Sequence, residues 1–307
     1  MKLATFIRNS TTETYWGFYL NGKLYPVNHM DFPDTLLAAL NDWNLWYPAL
    51  RLIEGKIEKT GFDGISFAEN EIVYLPVIPN PPSFRDFYAF EQHVKSARQL
   101  RKLEMIPEWY EIPVFYFSNH RNFIGDGVPL VKPAQTEELD FELEIGCVIS
   151  KLGRNISPDV ARSFIAGYTI INDWSARDIQ RQEMRVGLGP AKGKDFATGM
   201  GPFLVTPDSL MQLQTEKSHN LEMRAYKNGV LISKGNFSDI TYSFSDMIAR
   251  ASENTTLYPG DILGSGTVGT GCILELRPEN TDGWLKSGDT MRLEIDELGS
   301  LENKIIE

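Results

Sequence analysis

The chain has 307 residues, of which 42% are hydrophobic and 23% charged, the composition of an ordinary globular protein with room for a large core. Its formal net charge of −11 argues against a general nucleic-acid binder, and we expect no membrane span and no secretory signal because no apolar run is long enough. Cys147 and Cys272 lie in apolar segments, so we expect buried free thiols and a cytoplasmic protein.

The first 76 residues are predicted to form a small N-terminal α+β domain. Residues 3–7 and 15–20 have the composition of strands, and Asn21-Gly22 predicts a type I′ hairpin turn before a third strand. A short helix is predicted over residues 34–40. The prolines between residues 76 and 82 break regular structure, so we place the boundary after residue 76 and a second domain over residues 77–307.

The second domain is predicted to be β-rich. Strands and helices do not alternate regularly, which argues against a doubly wound nucleotide-binding fold and favours an α+β class. Helices are predicted over residues 87–103, 174–184 and 244–251. Strands are predicted over residues 141–149, 164–171, 203–205, 221–226, 230–232, 262–263, 272–276 and 291–295.

One predicted strand carries three acids in strict alternation with apolar residues. In the run from Asp140 to Ile145, Asp140, Glu142 and Glu144 would share one face. Neighbouring carboxylates would lie about 7 Å apart at Cα and would repel each other unless water or a cation intervened. The strand is therefore either a wet outer strand or part of a metal site, and the pattern by itself favours the wet strand.

Two further segments hold side chains suited to such a site. Asp173 follows an apolar strand, where it would either cap the next helix or close on the other carboxylates. The run from Ser175 to Asp178 has the pattern of a capping box for that helix. Asp86 and His93 lie two helical turns apart, so both could face one site if this segment is helical. His93 would be structural or, near carboxylates and a metal, a general base.

Two glycine-rich stretches permit close approach of a ligand. Residues 189–202 are not a phosphate-binding loop, because Asp195 stands where that motif requires Ser or Thr. Lys194, held among glycines, would either be exposed or meet an oxyanion. In residues 260–271 the glycines would form tight turns or let backbone N–H groups reach a ligand, and tight turns are the more ordinary interpretation.

Taken together and in order, these motifs resemble the fumarylacetoacetate hydrolase family from about Ser83 to the C-terminal end. The residues that carry the resemblance are Asp86-Phe87-Tyr88 with His93, Glu142-Leu143-Glu144, Asn172-Asp173-Trp174-Ser175-Ala176-Arg177-Asp178, Lys194-Asp195-Phe196-Ala197-Thr198 and Ser265-Gly266-Thr267. The resemblance implies a mixed β-sandwich roll of the family's C-terminal type, with a divalent metal at its mouth, and a homodimer.

The resemblance also implies roles for individual residues. Glu142, Glu144 and Asp173 would bind Mg²⁺, Mn²⁺ or Ca²⁺, and Asp86 matches a fourth carboxylate of the true fumarylacetoacetate hydrolases. Catalysis would use His93 as the base, Glu275 as its acidic partner and Lys194 to stabilise an enolate. Asp140 would be a wet neighbour of the ligands or would support them from behind. The implied substrate contacts are Tyr88, Tyr116, Arg177, Gln180 and Thr267, while Arg98, Arg101 and Lys102 are open candidates for a distal carboxylate.

The expected reaction is hydrolysis of a carbon–carbon bond in a 1,3-diketo acid such as fumarylacetoacetate, as in aromatic amino acid catabolism. The expected partner is a small dicarboxylate or diketo acid. Related enzymes acting on acylpyruvates and oxaloacetate carry a Glu one helical turn after the His, where this chain has Ser96. Acylpyruvate hydrolysis, oxaloacetate decarboxylation, isomerase or hydratase activity on dienoic acids, and a non-catalytic binding role remain the alternatives.

Overall fold

The computed structural model describes residues 1–9, 11–61 and 64–307. The strands are β1 Lys2–Arg8, β2 Thr14–Leu20, β3 Lys23–Pro26, β4 Phe67–Ala68, β5 Ile72–Tyr74, β6 Phe84–Phe87, β7 Phe115–Phe117, β8 Phe123–Ile124, β9 Leu130–Val131, β10 Leu139–Asp140, β11 Leu143–Ile149, β12 Gly153–Arg154, β13 Ile165–Asn172, β14 Ser175–Ala176, β15 Thr198–Met200, β16 Phe203–Val205, β17 Glu222–Lys227, β18 Val230–Asn236, β19 Thr256–Leu257, β20 Ile262–Gly264, β21 Thr290–Ile295 and β22 Gly299–Ile306. The helices are α1 Leu36–Leu40, α2 Trp43–Thr60, α3 Glu91–Leu100, α4 Glu108–Glu111, α5 Pro158–Ala161, α6 Arg177–Val186, α7 Phe244–Ser252 and α8 Ile273–Leu276. The prediction of a sheet-rich α+β fold is confirmed.

Two sheets form the framework. The larger has the order β4-β3-β2-β1-β16-β13-β11-β20-β6-β7, and the smaller has the order β18-β17-β21-β22-β9. Strand β11 is buried along its whole length. On one face Ile145 and Cys147 belong to the same apolar cluster as Leu293 of β21, and on the other Val148 belongs to a cluster with Leu50 of α2. The central strands are therefore covered on both faces, which explains their nearly continuous apolar sequence.

The N-terminal strands continue the larger sheet. Strand β1 pairs antiparallel with β16, with Lys2 opposite Val205. The predicted turn at Asn21-Gly22 joins β2 to β3, and both residues have positive φ, as a type I′ turn requires. The predicted boundary after residue 76 stays a prediction.

Three local predictions were wrong. The helix expected over residues 87–103 is shorter, because Phe87 still belongs to strand β6 and the helix runs only from Glu91 to Leu100. The helix expected from residue 174 begins at Arg177, because β14 pairs with β10 and the hydroxyl of Ser175 donates to the carbonyl of Asp173 instead of capping the helix. Residues 273–276 form the helical turn α8, not a strand.

The acidic strand is also interrupted. Strand β10 ends at Asp140 and β11 begins at Leu143, so Glu142 lies between two strands.

Both predicted free cysteines are buried. Within the described part of the chain, no helix combines the length and the apolar character needed to cross a membrane.

Candidate active site and metal centre

Four carboxylates meet at one end of the central strands. Asp86 is on β6, Glu144 is on β11, and Glu142 and Asp173 lie just outside β11 and β13. One oxygen from each of the four lies within 4.8 Å of the others, and all four side chains are buried. The neighbouring strand β20 leaves room for them because it carries Gly264 there, where a Cβ would lie 2.2 Å from Oδ1 of Asp86. The predicted ligand set is thus brought together.

Two buried cations contact only part of this carboxylate cluster. Lys194 Nζ donates to Glu142 Oε2 at 2.5 Å and to Asp173 Oδ2 at 2.7 Å, and Arg177 Nη2 donates to Glu142 Oε1 at 2.7 Å. Burial opposes the ionisation of Glu142, but the charges of Lys194 and Arg177 outweigh it and lower its pKa to about 2. Glu142 is therefore an ionised carboxylate at neutral pH.

Asp86 and Glu144 form no ion pair with a lysine or arginine of the described residues. Burial, reinforced by the negative charge of Asp173, raises the pKa of Asp86 well above its ordinary value, and burial with the charge of Asp86 does the same for Glu144. The two carboxyl groups hydrogen-bond to each other. Their other donors are long, namely the backbone N–H of Gly266 at 3.3 Å from Asp86 and 3.2 Å from Glu144, and the hydroxyl of Thr267 at 3.4 Å from Glu144.

The donor set suits a hard divalent cation. Oδ1 of Asp173 is buried and has no hydrogen-bond partner within the described part of the chain, while Oδ2 accepts from Lys194 and from the hydroxyl of Tyr116. This unpaired oxygen of Asp173 lies beside Asp86 and Glu144, which form no ion pair within the described residues. Together they make an oxygen-rich, negatively charged cluster of the kind that Mg²⁺, Mn²⁺ or Ca²⁺ binds. The residues present therefore fit a divalent metal.

A histidine–carboxylate dyad lies beside this cluster. Nδ1 of His93, on α3, is 2.7 Å from Oε2 of Glu275, on α8. Because a carboxylate can only accept, Nδ1 carries the proton and Nε2 is left as the acceptor nitrogen of the ring. The thiol of Cys272 also contacts Oε2 of Glu275, at 3.7 Å. Sequence reasoning missed this third member, since a cysteine in an apolar segment is usually only a core residue.

The carboxylate cluster and His93 open into one cavity of about 820 Å³. Its walls include His93, Lys194 and three of the four carboxylates. The predicted substrate contacts Tyr88, Tyr116, Arg177, Gln180 and Thr267 all line it as well. Arg177 Nη1 donates to Gln180 Oε1 at 3.1 Å, which leaves the amide N–H groups of Gln180 available. The roles assigned to these residues remain predictions.

Asp140 is buried and lies outside the group of four carboxylates that could share an ion. It is fully buried, and its carboxylate accepts from Arg177 Nε at 2.8 Å and from the backbone N–H groups of Ile273 at 2.7 Å and Leu274 at 3.1 Å. It therefore anchors Arg177, which in turn holds Glu142. The expectation that Asp140 is exposed to water was wrong. The alternative expectation, that it supports the neighbouring carboxylates from behind, matches the structure.

The glycine-rich stretch before Lys194 already holds an anion of the protein itself. The carboxylate of Glu183, on α6, accepts from the backbone N–H groups of Ala191 at 2.9 Å, Lys192 at 2.6 Å and Gly193 at 3.2 Å. These contacts fix the segment that delivers Lys194 to the carboxylates. No motif signalled this role of Glu183, because its partners are backbone groups.

Residues 83–306 match the family model described as fumarylacetoacetate (FAA) hydrolase, C-terminal. The chain belongs to the fumarylacetoacetate hydrolase family. It is 34% identical over 196 residues to proteins named mitochondrial oxaloacetate tautomerases from Rattus norvegicus and Homo sapiens. Each alignment covers 63% of this chain and 59% of the relative, so the chain matches less than two thirds of their length. Because these relatives are named mitochondrial, the expected cytoplasmic location is not confirmed.

Solved structures share the fold over the whole chain. A fumarylacetoacetate hydrolase from Exiguobacterium antarcticum has a TM-score of 0.76 at 21% identity, covering 100% of this chain and 99% of its own. A maleylpyruvate hydrolase from Sphingobium sp. SYK-6, in complex with manganese(II) and pyruvate, has a TM-score of 0.73 at 20% identity, with the same coverage of 100% and 99%. The expected family fold is therefore confirmed.

Proposed function

We propose that the protein is a divalent-metal-dependent hydrolase that cleaves a carbon–carbon bond in a 1,3-diketo acid such as fumarylacetoacetate or a simpler acylpyruvate. The observation that carries the proposal is the His93–Glu275 dyad, whose histidine lines the same cavity as the buried carboxylates. A polarised base beside a metal-type oxygen cluster is the arrangement that hydrolysis of a chelating substrate requires.

The metal would be held by Asp86, Glu142, Glu144 and Asp173. When bound, it would supply Lewis-acid polarisation of substrate oxygens. The manganese(II) in the maleylpyruvate hydrolase from Sphingobium makes Mn²⁺ the first ion to test, with Mg²⁺ and Ca²⁺ next.

The chain's own groups account for the proton movements. His93 Nε2 takes a proton from water, and Glu275 holds the opposite N–H and stabilises the resulting imidazolium. The new oxygen–carbon bond forms at the distal carbonyl, the carbon–carbon bond breaks, and the enolate that leaves receives a proton from His93. Lys194 has three donor hydrogens, of which two are engaged, so the third and the amide of Gln180 can stabilise the negative oxygen.

A panel of diketo acids tests this function. Fumarylacetoacetate, acetylpyruvate and longer acylpyruvates would be followed by loss of enol absorbance, with and without Mn²⁺ after chelation. We expect metal-dependent hydrolysis of at least one compound. Absence of turnover on every diketo acid with Mn²⁺, Mg²⁺ and Ca²⁺ would exclude the hydrolase assignment.

A second candidate is keto–enol tautomerisation of oxaloacetate. It is favoured by the 34% identity to the oxaloacetate tautomerases. The same dyad could move a proton between carbon and oxygen without an attacking water. Measuring enol–keto interconversion of oxaloacetate in the same preparation separates the two, since a tautomerase would equilibrate oxaloacetate far faster than it hydrolyses any diketo acid.

The remaining expectations are separate predictions. A homodimer is testable by light scattering at micromolar protein concentration. The decarboxylase, isomerase and hydratase alternatives are distinguished by the products of the same substrate panel.

A further inference from the structure

A second group of metal-ligating side chains lies beside the carboxylate cluster. A ring nitrogen of His93, the thiol of Cys272 and the carboxylate of Glu275 each offer one ligand atom, and these atoms lie within 4.8 Å of one another. Cys272 is fully buried, and the side chains of His93 and Glu275 are 6% and 2% exposed. A nitrogen, a sulfur and a carboxylate oxygen this close together can share one ion.

Helix α8 and its N-cap bring these side chains to His93. Cys272 is the N-cap of α8, and Glu275 follows three residues later, a spacing that places two side chains on one side of a helical turn. The thiol is 3.7 Å from Oε2 of Glu275, and Nδ1 of His93 is 2.7 Å from the same oxygen. Ligand atoms of a tetrahedral zinc site lie about 3.3 to 3.6 Å apart, so the thiol fits as it stands and His93 would withdraw by about 0.6 Å.

The second oxygen of Glu275 is an independent sign of a missing ligand. Oε1 of Glu275 is buried and has no hydrogen-bond partner within the described part of the chain. Among those residues, His93 is the one basic side chain that contacts this carboxylate. A buried acceptor without a donor is unfavourable, and a cation bound here would satisfy it.

The two clusters suit different ions. The carboxylate cluster offers only oxygen atoms, which favours hard cations such as Mg²⁺, Mn²⁺ and Ca²⁺. The second group offers nitrogen, sulfur and oxygen, a combination that Zn²⁺ binds well and that hard cations bind poorly. One ion can therefore occupy the carboxylates while another occupies the second group.

We propose that His93, Cys272 and Glu275 form an inhibitory site for a thiophilic divalent cation such as Zn²⁺, separate from the carboxylate cluster. The site itself rests on the arrangement of these three side chains. The loss of activity that follows from its occupation rests on the proposed function, because that function uses His93 as a base.

Inhibition follows from the position of one proton. In the metal-free protein Nδ1 of His93 carries the proton and Nε2 accepts. A cation bound at Nδ1 transfers that proton to Nε2, and the ring can then no longer take a proton from water. Burial raises the pKa of the Cys272 thiol, so the thiol is protonated before the ion binds and releases its proton to solvent when the thiolate forms.

Cadmium tests the site without any catalytic turnover. Cd²⁺ added to protein saturated with Mn²⁺ should produce thiolate-to-metal charge-transfer absorbance in the ultraviolet, at one equivalent of Cd²⁺. Cys272→Ser should lose this absorbance. Cys147→Ala is the matched control, because Cys147 is the other cysteine of the chain, is buried and belongs to neither cluster. Absorbance that persists in Cys272→Ser, or that Cys147→Ala abolishes, would overturn the inference.

Inhibition is then measured by titrating Zn²⁺ against hydrolysis at saturating Mn²⁺. Each protein is compared with its own zinc-free rate. An outer partner of a metal ligand is worth 10- to 100-fold in affinity, so loss of the Cys272 ligand should raise the half-inhibiting Zn²⁺ concentration by about 100-fold or more. Cys147→Ala should respond as the wild type does. If further Mn²⁺ restores the rate, Zn²⁺ acts at the carboxylates and the inference is wrong.

The inference and the proposed function fail separately. If no diketo acid is hydrolysed but cadmium absorbance depends on Cys272, the proposed function fails and the metal site stands. If hydrolysis is observed and no such absorbance forms, the metal site fails alone. Thermal unfolding in chelator shows whether Cys272→Ser is folded, and Cys272→Ala replaces it if it is not.

Discussion

Replacement of Glu144 by Gln is the sharpest test of the metal centre. The substitution keeps the size and one acceptor oxygen of the side chain and removes its negative charge. In the absence of metal we expect Glu144→Gln to be more stable than the wild type near pH 8, which is opposite to the usual effect of a buried substitution. The reason is that Glu144 is buried beside Asp86 without a cation.

The magnitude follows from the spacing of the carboxylates. Their ligand oxygens lie within 4.8 Å of one another, and at an effective dielectric constant of about 20 two unit charges at that distance repel by about 3.5 kcal/mol. Partial protonation relieves some of this repulsion, so we expect a stabilisation of about 1 to 3 kcal/mol. For a chain of this size that is a rise in Tm of about 2 to 4 °C per kcal/mol.

The sign of the pH dependence is fixed by the pKa. Burial and Asp86 raise the pKa of Glu144 in the folded protein above its unfolded value of about 4.3. A carboxyl with a raised folded pKa lowers stability progressively as the pH rises above the unfolded value. The gain from Glu144→Gln should therefore be present near pH 8 and vanish toward about pH 4, where the carboxyl is protonated in both states.

Thermal unfolding with chelator and with excess Mn²⁺ measures both effects. The wild type should gain about 2.7 kcal/mol from an ion present at a hundredfold excess over its Kd, and Glu144→Gln should gain much less. Glu222→Gln is a control, since Glu222 is partly exposed and lies outside the cluster. A Glu144→Gln protein that is destabilised without metal and keeps the full metal-induced shift would refute the ligand assignment.

Three further substitutions address neighbouring parts of the site. His93→Ala should lower hydrolysis by about 100-fold or more through loss of the general base while keeping the Mn²⁺-induced rise in Tm, and unchanged initial rates would contradict the base role. Glu183→Gln should lower kcat several-fold by loosening the backbone that positions Lys194, with metal stabilisation retained; an unchanged kcat would show that this contact is dispensable. Gly264→Ala should abolish Mn²⁺ binding in calorimetry, since its Cβ would displace Asp86, and a wild-type affinity would contradict the packing argument.

The family resemblance, and not the local pattern, assigned the site residues. The alternation around Glu142 and Glu144 by itself favoured a wet strand, and Lys194 among glycines was left open between an exposed side chain and a contact with an oxyanion. The apolar residues Phe141, Leu143 and Ile145 do belong to one core cluster, as their alternation predicted. The core placement of these apolar residues depends on their alternation, which persists although the strand is interrupted between Asp140 and Leu143.

The local structure was less predictable where a short apolar run fits either a helix or a strand. Residues 273–276 were expected to extend a sheet, yet α8 forms there because the N–H groups of Ile273 and Leu274 are held by Asp140. That helical turn is what presents Glu275 to His93. The backbone of α8 is held by Asp140, which lies more than a hundred residues earlier in the chain, so no local pattern could indicate this helical turn.

The sequence by itself determined that closely spaced acids, a histidine and a lysine occur in segments that predict a β-rich fold, because those residue types and spacings are properties of the chain. Only the tertiary structure decided which carboxylates are paired and which are not. Glu142 lies between Lys194 and Arg177, whereas Asp86 and Glu144 lie against each other. Coulomb energies depend on distances between strands that are far apart in sequence, and those distances exist only once the strands have packed.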